Sequence, residues 1–124
     1  MTKTKIDLPD TKFHVNIRLY QTVKALKKGT GVKCAGLYRP NHYVIYPKWK
    51  VYPNLGTISL AKEKLGVGYI THEATHAAFD YMHKKYRIKS VKTENSERQE
   101  SMAWVLGYIV KEICNWLNDN KLWK

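Results

Sequence analysis

The chain is poor in the residues that staple or punctuate small secreted domains. Only two cysteines, Cys34 and Cys114, occur in 124 residues, and they form no Cys-x-x-Cys pair. That excludes a disulfide-dense scaffold and a thiolate metal cage, and two free thiols in a reducing compartment are expected. Proline numbers 4 and glycine 7, far from a collagenous, proline-rich or low-complexity chain. No internal repeat is visible. No segment approaches the ~20 consecutive apolar residues of a membrane span. The start, Met1-Thr-Lys-Thr-Lys-Ile-Asp, lacks the apolar core of a secretory signal. A cytoplasmic protein without membrane partners is the expectation.

Acidic residues are scarce as well. Ten Asp and Glu face 22 Lys and Arg, for a formal charge of +12. Such a surplus favours anionic partners. The cations are scattered, however, and only Lys84, Lys85, Arg87, Lys89 and Lys92 form a dense run. A weak nucleic-acid association is therefore assigned to that run. The plainer alternative is a solvated basic loop after a helix.

The length suits one domain. Residues 1–10 read as a loosely attached N-terminal arm, and 11–124 as the domain. From Lys12 to Tyr20, Phe13, Val15, Ile17 and Leu19 alternate with polar residues, the pattern of a half-buried strand. Gln21 to Lys28 suits a short helix closed by Gly29 and Gly31. Short strands or extended loop are expected at Leu37–Tyr38, Tyr43–Tyr46, Lys50–Tyr52 and Gly56–Leu60, between prolines. Tyr69 to about Lys85 contains neither Pro nor Gly and predicts a helix. Ser96 with Gln99 forms a capping box, opening a second helix to about Asn118. The fold class is α+β: a small mixed or antiparallel sheet, then two long helices.

The first of those helices carries His72-Glu73-Ala74-Thr75-His76. Histidines four apart on a helix share one face, so both imidazoles can reach one metal ion. Glu73, beside the metal rather than on it, can take a proton from a zinc-bound water and pass it to a leaving amine. Zinc lowers the pKa of that water to roughly 7 and polarises the carbonyl under attack. With 5 His and 6 Glu in the chain, this pattern arises by chance about once in a hundred such sequences. The bland alternative is an amphipathic helix whose histidines merely pack or solvate. Gly68, Ala74, Ala77 and Ala78 around the motif weaken it, since small residues leave room for a close partner.

A catalytic zinc takes three protein ligands as a rule. On a continuous helix His83 would stand about 16 Å from His72 and about 10 Å from His76, too far to join them. Glu97 and Glu100 on the second helix remain. Glu100 begins a stripe with Ala103, Gly107, Val110 and Cys114 that predicts a close helix–helix approach. Glu97 already has a role facing the helix dipole. Glu100 is the preferred third ligand and Glu97 the alternative. The oxyanion donor stays open among His42, Tyr43, Tyr46, Tyr52 and Tyr69.

Thr71-His-Glu-Ala-Thr-His-Ala-Ala-Phe-Asp80, with Gln99-Glu-Ser-Met-Ala-Trp-Val-Leu-Gly-Tyr-Ile109, resembles the small zincin-like metallopeptidases of bacteriophages and prophages, and more widely the gluzincins. The likeness covers the C-terminal half. It implies a minimal zincin-like domain, with His72, His76 and Glu100 as zinc ligands and Glu73 as general base. It also implies that Gly56–Ala61 is the edge strand along which a peptide substrate lies, and a host-cytoplasmic setting if the chain is phage-encoded. Arg98 departs from the acidic or neutral residues usual before the glutamate. A zinc peptidase cutting one protein partner is the leading expectation. A non-catalytic zincin scaffold that blocks a host defence factor, or a basic nucleic-acid-associated protein, are the alternatives.

Overall fold

Alternation sets up the sheet. A computed structural model of the chain describes residues 1–41, 44–45, 48–49, 53–86 and 96–123. In it, strand β2 (His14–Tyr20) turns Val15, Ile17 and Leu19 inward, each fully buried, and leaves Arg18 exposed on the other side. The N-terminal arm expected at 1–10 is instead strand β1 (Thr2–Asp7), paired antiparallel with β2. Its Thr-Lys-Thr-Lys-Ile alternation is short and charged, which hides a strand from a composition-based reading. Ile6 and Leu8 anchor it in the core.

Helix α1 (Val23–Thr30) follows, with the Thr22 hydroxyl accepting from the Ala25 N–H at 3.0 Å. Glu63 also caps it, accepting from the Val23 N–H at 2.6 Å. It ends at Gly31, which adopts the left-handed conformation (φ 83°) and donates to the Lys27 carbonyl. Gly29 thus lies inside the helix rather than closing it. Then come β3 (Gly36–Pro40), the small antiparallel pair β4 (Val44–Ile45) and β5 (Lys48–Trp49), and β6 (Asn54–Ala61). The strand expected at Lys50–Tyr52 lies outside the described residues.

The main sheet runs β1-β2-β6-β3, with β6 parallel to β2 and antiparallel to β3. Gly56–Ala61 is therefore an inner strand, not the expected edge. The edge beside the helices is β3, because the crossover through α1 inserts β6 between β2 and β3.

After a 3-10 turn at Lys62–Lys64 come α2 (Val67–Tyr86) and α3 (Ser96–Asp119). Among the described residues, the observed class is the expected one: α+β, a small mixed sheet followed by two long helices. No helix among them is long and apolar enough to cross a membrane, and Cys34 and Cys114 are free thiols. Helix α2 begins two residues earlier than its lack of glycine suggests, with Gly68 in its first turn. Ile70, Ala74, Ala77, Ala78, Tyr81 and Met82 bury its inner face in one core with Ile17, Ile58 and Leu60 of the sheet. Helix α3 contributes Val105, Ile109, Ile113 and Leu117, spaced by four and fully buried. Each such side chain contributes about 1.5–3 kcal/mol through burial.

One polar cluster ties α2 to β3. The Tyr38 hydroxyl of β3 donates to Asp80 Oδ2 of α2 at 2.6 Å, with the Leu55 carbonyl 2.9 Å away. Lys84 Nζ donates to the same carboxylate oxygen at 2.8 Å and to the Leu55 carbonyl at 3.0 Å. Lys84 is only 8 % exposed. This corrects its place in the expected basic surface: the i,i+4 spacing from Asp80 turns it inward. Arg87, Lys89 and Lys92 of that run lie outside the described residues, and Lys85 is exposed.

Burial lowers the Lys84 pKa from 10.5 to about 8, even beside Asp80. The unfolded chain then binds this proton more tightly, so from this group stability rises with pH between about 8 and 10.5 and is lost as pH falls through 8. Urea denaturation at several pH values should show that rise in the wild type and a flatter profile in Lys84→Met. Asp80→Ala removes the carboxylate from beside the buried Lys84 ammonium and should cost about 3–5 kcal/mol at pH 7. A loss below about 1 kcal/mol in the same assay would remove this cluster from the account of the fold.

Candidate metal centre

The helical turn from His72 to His76 brings the two imidazoles together. Their Nε2 atoms are 3.3 Å apart, and the rings meet edge to face with centroids 4.9 Å apart. Both side chains are exposed, whereas Glu73 between them is 6 % exposed. Its Oε1 lies 3.7 Å from His72 Nε2. Among the described residues, His72, Glu73 and His76 form the group able to hold a metal, with ligand atoms all within 4.8 Å of one another. Two zinc–nitrogen bonds of about 2.05 Å at the tetrahedral angle separate their nitrogens by roughly 3.3 Å. The two imidazoles already have that separation, so the donor set fits zinc.

Glu73 keeps its place because β3 is small where the two meet. A Cβ on Gly36 would stand 3.2 Å from Glu73 Cγ, closer than ordinary contact. Glycine therefore lets the edge strand pass directly beside the carboxylate. The second threonine of the motif is satisfied internally, Thr75 donating to the Thr71 carbonyl at 2.7 Å.

Two hollows flank Glu73, and it lines both. One, of about 650 Å³, also holds Cys34, Gly36, Leu65, Tyr69 and His72. The other, of about 360 Å³, holds Leu37, Tyr38, Pro40, His76 and Asp80. Tyr69 thus joins the site, being 47 % exposed at its mouth. His42, Tyr43, Tyr46 and Tyr52, the other expected oxyanion donors, lie outside the described residues. Burial raises the Cys34 thiol pKa, and the Glu73 carboxylate adds to it. Cys34 is thereby held as a thiol, which argues against a cysteine nucleophile.

The second helix supplies less than its sequence suggests. Glu97 and Glu100 are both exposed on the first turn of α3, and neither belongs to the His72–Glu73–His76 group. Ala103 and Gly107 are exposed too, and a Cβ on Gly107 would meet nothing within 4 Å. The N-terminal part of the stripe, Glu100, Ala103 and Gly107, faces outward, while Val110 and Cys114 pack partly buried against the core and the larger Val105 and Ile109 are fully buried in it. His83 also lies outside the group, on an unbroken α2.

Sequence reasoning passed over Gly36, Tyr38 and the Asp80–Lys84 pair. Only the last left a signal, two opposite charges one helical turn apart. No family model, no curated protein and no solved structure matches the chain.

Gly36→Ala tests the strand–carboxylate contact. The added methyl requires Glu73 to give by a few tenths of an ångström, so stability in urea should fall by less than about 1 kcal/mol. Gly36→Val should destabilise the fold by about 1–3 kcal/mol in urea denaturation. Equal stability of all three proteins would show that β3 does not confine Glu73.

Proposed function

We propose that the protein is a zinc-dependent peptidase acting on an extended segment of a protein partner. The observation that carries this reading is the pairing of two imidazoles at zinc-ligand separation with a buried glutamate beside them. His72 and His76 would hold the ion. Bound there, zinc would supply Lewis-acid polarisation and a water acidic enough to attack at neutral pH. Glu73 is placed to act as the general base, and would accept a proton from the attacking water and return it to the departing amine. Its burial keeps the carboxylate from being solvated away from the reacting atoms. Tyr69 is the donor assigned to the developing oxyanion, since it shares a hollow with His72 and Glu73.

The substrate class follows from shape. Hollows on both sides of Glu73, along the edge strand β3, suit a chain that extends past the scissile bond in both directions. Strand β3 can also pair with such a chain by main-chain hydrogen bonds. Glu100 is proposed as the third protein ligand on the strength of the family resemblance alone. A host-cytoplasmic, phage-derived setting rests on the same resemblance.

Metal analysis and variants test this. The isolated protein should hold one zinc per chain, and His72→Ala with His76→Ala should remove it. Glu73→Gln should keep zinc and abolish hydrolysis of the partner. An undiminished biological effect in Glu73→Gln would make the protein a binder rather than an enzyme. Tyr69→Phe should lower turnover by about 10² with zinc retained. Chelator competition should show Glu100→Ala weakening zinc by at least about tenfold, with Glu97→Ala near wild type. The reverse ranking would assign the third position to Glu97.

A further inference from the structure

The face of the sheet turned away from α2 and α3 collects positive charge. Register places Lys3 of β1 directly opposite Arg18 of β2, which in turn pairs with Ser59 of β6 and, beyond it, Leu37 of β3. The next row of this face is Lys5, Asn16, Thr57 and Arg39. Lys3, Lys5, Arg18 and Arg39 are all exposed. At the β1 edge the charge is tempered: Asp7 lies 3.6 Å from Lys5, and Lys5 also lines a hollow with Glu112 and Asp119 of α3, so Lys3, Arg18 and Arg39 carry most of the face's positive charge. Like charges placed directly opposite across a strand pair are unfavourable. Lys3 and Arg18 stand so, and no ion pair relieves them among the described residues.

Helix α1 borders this face, resting Leu26 on Tyr20 and Ala61. It adds exposed Lys24, Lys27 and Lys28 along one side. Between helix and sheet lies a concavity of about 200 Å³ lined by Arg18, Arg39, Thr30, Asn41, Thr57 and Ser59 among others, with no carboxylate. Arg39 is oriented there by a hydrogen bond from Nη2 to the Thr30 carbonyl at 3.1 Å. Guanidinium groups with hydroxyl and amide donors are the chemistry that holds phosphate.

We propose that this open sheet face binds the phosphate backbone of duplex nucleic acid, independently of base sequence. Charge complementarity selects the occupant. The two rows contain no aromatic side chain on which unstacked bases would lie, and this favours a duplex over a single strand. The face is opposite the His72–Glu73–His76 cluster, so duplex and protein substrate are held at once without competing. It is a basic surface separate from the Lys84–Lys92 run, of which Lys84 is buried and Arg87, Lys89 and Lys92 lie outside the described residues.

The experiment is fluorescence anisotropy on a short labelled DNA duplex of arbitrary sequence, from about 50 to about 200 mM salt. The face variant is Lys3→Gln, Lys5→Gln, Arg18→Gln. Its control, with equal charge removed elsewhere, is Lys64→Gln, Lys111→Gln, Lys121→Gln. The face variant should bind at least about tenfold more weakly at the low salt, with a log–log salt slope smaller by about two to three. The control should stay within about threefold of the wild type, that is, within about 0.7 kcal/mol. Arg18→Gln against Lys111→Gln repeats the comparison with single changes if the triple variant melts early. Equal losses in face and control variants overturn the proposal, as does binding to anionic phospholipid vesicles without binding to the duplex. A wild type that shows no salt-dependent binding overturns it as well.

Discussion

The seam between α2 and β3 is the contact on which the rest of the site depends. At one end Gly36 lets the strand lie against Glu73; at the other, Tyr38 and Lys84 converge on Asp80. Without the second contact, the edge strand would be held to the helix mainly by apolar side chains, which resist separation but fix orientation poorly. A shared carboxylate oxygen is directional. It sets the strand's position along the helix, and with it the wall beside Glu73. Burial raises the Tyr38 hydroxyl pKa, with the Asp80 hydrogen bond adding to the shift, so the donor stays protonated.

That arrangement separates two jobs along one helix. The exposed flank of α2 offers His72 and His76 to solvent and to a metal. The inner flank packs small residues, Ala74, Ala77 and Ala78, against sheet and α3. Glu73 sits at the border between them, buried yet facing both hollows. In the proposed reading that border would suit a general base, shielded from bulk water but open to the two hollows.

Much of this was legible in the sequence where the physics is local. The histidine pair needs only the helical repeat, so it could be read directly, and so could the alternation of β2. Non-local packing could not. Residues 1–10 read as an arm because lysines alternate with threonines, and only pairing with β2 makes that pattern a strand. The resemblance makes Gly56–Ala61 an edge strand, and no local pattern corrects it, because the position of β6 depends on pairing between segments some 40 residues apart in the chain. Helix α3 was placed correctly, but its rotation was read from its small residues. The larger Val105, Ile109, Ile113 and Leu117 set it instead, since burying more apolar area outweighs a closer backbone approach.

The parallel pairing of β2 with β6 also bears on how the chain reaches this structure. Residues His14–Tyr20 must wait for Asn54–Ala61 before both their edges are paired, whereas β1 is available from the start. A contact between such distant segments costs loop closure before it returns any packing energy, which slows folding relative to a hairpin meander of the same length. During synthesis the half-finished sheet presents an unpaired β2 edge to other chains until β6 and then α2 emerge. Exposed Lys3, Lys5 and Arg18 put like charge beside that open edge, and charge on an edge disfavours pairing with a second copy of the same strand.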